Sequence, residues 1–397
     1  MFSREYWPRS IRANGHLLLN GEKMSKSTGT FLTLHDLVAK YGADGARIAL
    51  ADAGDSISDA NFEEDVADNS ILRMYTLREW CEEVTRDKAN LRTGELNSYQ
   101  DRFFENEMNA AATEAISQYN QTNYKLALKA ALYDLSAARD FYREACIAGG
   151  IALHADLVDK WIRLLAILLS PITPHFSEYI WLKVLKEKDT IHRARFPTVP
   201  AVDPVLTAAR EYIKDTASNV NSAESAQLKK KAKGKATTFD PKKPKKLTIL
   251  VSTTFPAWQE KYVELLREMW DPATKTVDDK ALNGKIGKMG EMKKAMPFVQ
   301  ALKKRLVSGE SVHVVLDRKL AFDETAILKQ MVPGLKRSAN LKEVDILVLK
   351  DEGKKAVDLD GKEVPLTIPA ENAVPGSPVF HFENVEEGAG EKTLEIR

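Results

Sequence analysis

The sequence predicts a mainly α-helical protein with α/β parts, and three observations carry that expectation. From about residue 60 to about residue 195, apolar residues recur at helical spacing almost without interruption. Between Lys229 and Lys246 the apolar period is lost and nine lysines face a single acid, Asp240. Beyond Leu247, β-rich runs alternate with helical stripes, the pattern of a small α/β domain. The expected division is residues 1–58 with a functional loop, 59–215 as a helical bundle, 216–246 as a Lys-rich linker, and 247–397 as the α/β domain.

The bounds agree with an ordinary globular chain. At 397 residues, length alone leads to about two or three domains. A formal charge of +1 argues neither for nor against a nucleic-acid partner, so any such case rests on local patches. Cys81 and Cys146 are the only cysteines, which gives no disulfide framework and no zinc ribbon, and fits a reducing cytosol. No run reaches the roughly eighteen apolar residues of a membrane span, and MFSREYWPRS lacks the apolar core of a signal peptide, so a cytoplasmic protein without membrane contact is expected.

In chain order, the first informative stretch is Gly21 to Leu34, GEKMSKSTGTFLTL, preceded by the apolar run His16 to Asn20. A short strand ending at the turn-forming pair Asn20-Gly21 opens into a loop with Lys23 and Lys26 around Ser25 and Ser27. Two ammonium groups three residues apart can close over a polyphosphate, while Ser25, Ser27 and Thr28 supply hydrogen bonds. Met24 is the apolar anchor of the loop. The competing reading is a solvated Lys/Ser surface loop. Thr33 with Asp36 makes a helix start, Leu34, Leu37, Val38 and Tyr41 share a face, and Gly42 ends that helix. A second short helix follows Asp44. Asp55, Asp59, Glu63, Glu64 and Asp65 read as solvated polar cover.

Lys23-Met24-Ser25-Lys26-Ser27, between a strand and a helix, resembles the second nucleotide-binding motif of class I aminoacyl-tRNA synthetases. The wider strings RANGHLLLNGEKMSKSTGTFLTL (Arg12 to Leu34) and YGADGARIALADAGD (Tyr41 to Asp55) resemble the archaeal and eukaryotic cytosolic leucyl-tRNA synthetases. That family carries Asn where this chain has Thr30. The resemblance implies that residues 1–58 are the end of a Rossmann-like catalytic domain, with Lys23 and Lys26 catalytic on the pyrophosphate side, and Met24, Ser25, Lys26 and Ser27 forming the ATP loop. It implies ATP as substrate with accompanying Mg2+, leucine and tRNA-Leu as partners, and no metal site in the protein. Thr28-Gly29 before Phe31-Leu32-Thr33-Leu34, and the lack of a carboxy-terminal set of cysteine pairs, favour leucine over isoleucine, valine or methionine enzymes.

The bundle is read from four stripes: Val66 to Trp80, Phe103 to Ile116, Tyr124 to Tyr142, and Leu157 to Leu169, the last apolar on most sides and expected at the centre. LLSPITPHFSEYIW (Leu168 to Trp181) breaks at Pro171 and Pro174 and resembles the Pro-x-x-Pro-x-x-x-Glu-x-x-Trp stretch of the anticodon-binding domain of class Ia synthetases. His175 is expected as a packing residue on a buried kink. Arg73, Arg78, Arg139 and Arg143 are candidates for tRNA phosphates or ordinary surface charges.

The linker, with Lys230 and Lys243 among its candidates, reads as a solvated hinge, a basic strap on RNA or a nuclear-localisation patch. After it, Leu247 to Ser252 reads as a strand, Trp258 to Met269 as a helix, and Met289 to Leu306 as a methionine-containing core stripe kinked or divided by Pro297. Val312 to Leu316 and Val344 to Leu349 read as strands around a helix from Asp323 to Met331. Val379 to Phe382 reads as an edge strand before an acidic tail. The basic helix carrying Lys293 and Lys304 is the candidate tRNA surface of this domain, and contacts with other proteins through the domain are left open.

Class I synthetases pair the lysine loop with a His-x-Gly-His element, and leucine enzymes add an editing domain. The chain carries neither and reads as the carboxy-terminal part of such an enzyme. Two functions follow: a leucine–tRNA ligase segment, or a tRNA-binding module without catalysis of its own. No GxxxxGK[ST] loop, GxGxxG turn or metal-spaced His/Cys cluster offers another enzyme.

Overall fold

The computed structural model describes residues 3–11, 13, 15–27, 29–232, 240, 243–272, 274–290, 292–310, 312–350, 355–366 and 373–385. Thr28, the linker lysines from Lys233 to Lys242 and the acidic tail, all singled out in the sequence, lie outside the described residues, as do the side chains of Lys230 and Lys231. The chain divides into two compact units, residues 1–207 and 208–397.

In the first unit, β1 (Leu17–Leu19) and β2 (Glu22–Lys23) form an antiparallel hairpin. Asn20 and Gly21 both have positive φ, 51° and 83°, the backbone of a tight hairpin turn that an Asn-Gly pair adopts readily. Next comes α1 (Leu34–Ala53), started by Thr33, whose hydroxyl accepts from the Asp36 N–H, and interrupted at Gly42, where φ 69° and ψ 165° leave helical geometry. β3 (Ala60–Phe62) lies parallel to β1, giving the order β2-β1-β3. Leu37, Tyr41, Ala46, Ala49, Phe62 and Ala67 bury a small core against Leu17, Leu19 and Leu32.

The helices α2 (Glu64–Arg86), α3 (Tyr99–Asn120), α4 (Tyr124–Leu128), α5 (Leu135–Gly149), α6 (Ala155–Leu169) and α7 (Pro174–Tyr179) form the bundle. One wider π-helical stretch, Lys129–Asp134, joins α4 to α5, and another, Ile180–Val184, continues α7. α6 is central, as its pattern requires: Leu157, Trp161, Leu165, Leu168 and Leu169 are buried, and Trp161 Nε1 donates to the Leu135 carbonyl at 2.7 Å. Cys81 and Cys146 are free and buried. A polar network runs through this core. The buried carboxylate of Asp101 accepts from Arg92 and from Tyr142, and the Tyr142 hydroxyl accepts from the His154 backbone N–H at 3.0 Å.

In the second unit, α8 (Pro204–Ala232), which begins just before it, continues into the stretch expected as linker. Its first part buries Leu206, Ala209, Tyr212, Ile213, Thr216 and Val220 at helical spacing, and from 221 to 229, where no residue is buried, Ala, Gln, Glu and Lys residues favour helix by propensity. Then follow β4 (Lys245–Ser252), α9 (Ala257–Met269), α10 (Asp279–Met289), α11 (Met292–Val307) and α12 (Val312–Leu316). α13 (Glu324–Ser338), β5 (Leu341–Lys350), β6 (Lys355–Val357), β7 (Glu363–Val364) and β8 (Val379–Asn384) complete the described residues. The sheet order is β7-β6-β5-β4-β8, with β4 and β5 parallel and β8 an antiparallel edge.

Three sequence readings are corrected here. Val312 to Leu316 is helical, because Val315 and Leu316 fill the α9–α11 core and a short apolar run fits a buried helix as well as a strand. Of the two outcomes expected at Pro297, division is excluded, because Pro297 sits inside one continuous α11. The methionine stripe is core only in part: Ala295, Val299, Leu302 and Leu306 are buried, whereas Met289 and Met292 are exposed.

Candidate functional site: the lysine loop and its mount

The loop from Lys23 to Thr30 is carried on the β1–β2 hairpin and returns into α1. Ser25 N–H donates to the Thr30 carbonyl at 2.8 Å, and Gly29 takes φ 74°, so the tip turns tightly between them. The hydroxyls of Ser25 and Ser27 are 2.8 Å apart, and the Thr30 hydroxyl is 3.4 Å from a Glu22 carboxylate oxygen. Lys23, Lys26 and Ser27 are exposed, and Met24 is partly buried. Among the described residues neither lysine ammonium has an ion-pair partner. Two uncompensated cations beside a pair of hydroxyls suit a polyphosphate anion.

The stem below the loop is held more firmly than its sequence foretold. The Asn20 side-chain amide donates to Glu64 at 2.9 Å while its oxygen accepts from the Glu64 backbone N–H at 3.0 Å. The Asn61 side-chain oxygen accepts from the Gly21 N–H at 2.7 Å. Lys40 and the Tyr41 hydroxyl both donate to the other Glu64 oxygen, at 2.6 and 2.5 Å. These hydrogen bonds, that of Lys40 first, then Tyr41 and Asn20, hold the Glu64 carboxyl at about 2, well below its ordinary 4.5. Glu64 therefore ties the hairpin turn to α1, which corrects the reading of this acidic cluster as plain solvated cover. Asp59 and Asp55 also have definite roles, accepting from the backbone N–H groups of His16 and Lys125.

A second attachment lies one turn further along α1. Buried Asp44 accepts from the Phe176 N–H at 2.6 Å and, more loosely, from the His175 N–H, at the start of α7. Arg47 donates through Nε to the Ile172 carbonyl and through Nη2 to the Pro171 carbonyl, both at 2.7 Å. His175 is thus held by its backbone with its side chain exposed, not packed in a buried kink. Asn61, Glu64, Asp44 and Arg47 were missed as site residues. Their only signal was polar character at helix starts and in the YGADGAR string.

The arginines proposed for RNA differ in environment. Arg73 is exposed over the Tyr133 ring. Arg78 lies between the Tyr75 and Tyr179 rings and pairs with Glu79 at 3.1 Å. Arg139 is 11% exposed, wedged between Trp80 and Trp161, and paired with Asp140. Arg143 also faces Asp140, at 3.6 Å. Lys243, Lys293 and Lys304 are exposed; near the last two on α11, Lys303 and Arg305 are engaged by Asp279 and Glu310. Among the described residues no group of three or more His, Cys, Asp or Glu is placed to hold a metal ion, and no helix is long and apolar enough to cross a membrane.

Comparisons with known proteins bear on this arrangement. Residues 3–73 match the model of tRNA synthetases class I (M), 101–238 the anticodon-binding domain of tRNA ligase, and 251–316 the leucine–tRNA ligase RagD-binding domain. The strand-turn-loop unit and the bundle are thus those of a class I tRNA synthetase. The chain is 61% identical over 390 residues to the cytoplasmic leucine–tRNA ligase of Neurospora crassa, covering 97% of this chain and 35% of that protein. It is 44% identical over 393 residues to that of Saccharomyces cerevisiae, with 97% and 35% covered. The chain belongs to the cytoplasmic leucine–tRNA ligase family, and it spans about a third of the length of the curated relatives it matches.

Proposed function

We propose that this chain supplies the lysine loop, the tRNA-binding bundle and an appended domain of a cytoplasmic leucine–tRNA ligase. In that reading leucine and ATP form leucyl-adenylate and pyrophosphate, and the leucyl group then passes to the terminal ribose of tRNA-Leu. The observation that carries the proposal is the pair of ammonium groups, Lys23 and Lys26, without an ion-pair partner among the described residues, on a hairpin fixed from behind by Asn61 and Glu64. Lys26, with Lys23, would stabilise the charge that grows on the pyrophosphate side, and Ser25 and Ser27 would orient the phosphates, with Met24 seating the loop. Magnesium would arrive with the nucleotide, held by its phosphates and not by a protein cluster.

In a ligase carrying both halves of the site, Lys26→Ala is expected to slow leucine-dependent ATP–pyrophosphate exchange by about 100-fold or more, the scale for losing one transition-state donor. Its tRNA affinity should stay within a small factor of normal. An exchange rate that does not fall refutes the role of Lys26.

A second reading applies to the polypeptide by itself: a tRNA-binding module that does not aminoacylate. It is favoured by the missing His-x-Gly-His element in these 397 residues. Turnover above background by the isolated chain would refute it. The match of residues 251–316 supports a protein-contact role for the α9–α12 helices, with a RagD-type partner as the case to test by co-purification.

A further inference from the structure

A cleft of about 450 Å3 runs beside α6, lined also by Asn109 of α3, by Lys88 from the turn after α2 and by the segment 197–200. Its volume falls within the ordinary range of small-molecule sites, roughly 300 to 1,000 Å3. None of its lining residues belongs to the lysine loop or to α1.

The α6 wall changes character along its length. Asp156, Lys160, Arg163 and Ile167 stand at i, i+4, i+7 and i+11, so they share one face of the helix, and buried Leu164 lies beside them. Acid comes first, base second and apolar surface last. Pro197 and Val199 add apolar surface from the facing segment, where Pro197 and Pro200 restrict the backbone.

Most of the charges on this wall are already satisfied. Lys160 donates to Glu105 and to Asn109, both at 3.0 Å, and Arg163 donates to Asp159 at 2.7 Å and to Glu187. These pairs hold the wall in shape. Two groups are left over: the Lys88 ammonium and the Asp156 carboxylate are both exposed, line the same cleft and have no ion-pair partner among the described residues. Opposite charges that face one space without meeting, beside the apolar surface of Leu164 and Ile167, fit a ligand that carries both signs and an apolar body. A polyphosphate fits poorly, because Asp156 and Asp159 oppose its charge. A purely apolar ligand would leave both leftover charges without a partner.

We propose that this cleft binds a free α-amino acid with an apolar side chain, its ammonium on Asp156, its carboxylate on Lys88 and its side chain against Leu164, Ile167 and Val199. The site is separate from the lysine loop and stands whether or not that loop serves a nucleotide.

The test is a titration of the full 397-residue chain, followed by ligand-observed NMR, with four probes. These are L-leucine, L-alanine with its short side chain, isocaproate, which is leucine without its ammonium, and isopentylamine, which is leucine without its carboxylate. L-leucine should bind with a Kd of about 1 mM or tighter, the scale for so small a ligand. Each of the other three should bind at least about fivefold more weakly, having lost apolar surface or a charged hydrogen bond on an exposed rim. Asp156→Asn should weaken L-leucine and isopentylamine and leave isocaproate unchanged. Lys88→Gln should weaken L-leucine and isocaproate and leave isopentylamine unchanged. Both positions are exposed, so both variants should melt as the unaltered chain does.

No saturable binding of L-leucine up to about 10 mM overturns the proposal. So does L-leucine binding that neither variant alters, because it then lies elsewhere on the chain. A variant that weakens all four probes alike also overturns it, since that reports a disturbed wall and not a lost charge partner. L-alanine binding as tightly as L-leucine overturns it too, because the apolar surface then contributes nothing.

Discussion

Glu64 gathers donors from Asn20, Lys40 and Tyr41, so a single carboxylate closes the contact between hairpin, α1 and α2. Its folded-state value of about 2 lies below the ordinary 4.5, so its contribution to stability is fully present above about pH 5 and disappears as pH falls toward 2. Glu64→Gln should cost about 1 kcal/mol at neutral pH, allowing for its partial solvation, and the gap in melting temperature to the unaltered chain should close as pH falls below 4.5. A gap that persists at low pH would mean the residue acts by packing and not by charge. At this scale the chemistry of Lys23, Lys26, Ser25 and Ser27 was legible, because residue type and spacing alone define a phosphate loop. The partners that fix the loop were not, because Asn61, Glu64, Asp44 and Arg47 are ordinary polar residues until the fold brings them to Gly21, Lys40 and the α6–α7 turn.

At the scale of elements, α6 is the part of the bundle most sensitive to change. Leu165→Ala, at a buried position with neighbours on all sides, should destabilise the first unit by about 2 to 5 kcal/mol, read by chemical denaturation; a change under about 1 kcal/mol would show that the site collapses around the loss. The helices α3, from its apolar stripe, and α6, apolar on most sides, could be read from the sequence, as could the strands β4 and β5 from their β-rich runs. What escaped was set by tertiary context. α12, Val312–Leu316, is a short Val- and Leu-rich run that becomes helix because the α9–α11 core takes Val315 and Leu316, and α8 runs on past its buried face, which ends at Val220, into residues where propensity sustains it. The Arg92–Asp101–Tyr142 network likewise joins Asp101 to Arg92, nine positions before it, and to Tyr142, 41 positions after it, with no motif to mark the set.

For the whole molecule, near-zero net charge conceals local asymmetry, and the RNA-binding reading makes a salt-dependent claim. Retention of tRNA-Leu should weaken as salt rises, and Lys293→Ala or Lys304→Ala should each lower the slope of log affinity against log salt by about 1 if the side chain meets a phosphate. A flat response in the unaltered chain would exclude phosphate contacts as the source of binding. One further property follows from the two cysteines. Burial pushes the Cys81 thiol up to about 12 and also raises that of Cys146, so both stay protonated and shielded at neutral pH. The native chain is therefore silent toward maleimide reagents, and one cysteine placed at exposed Ser27 would take a fluorophore at a single address, making the lysine loop observable in solution without removing any native residue from the core.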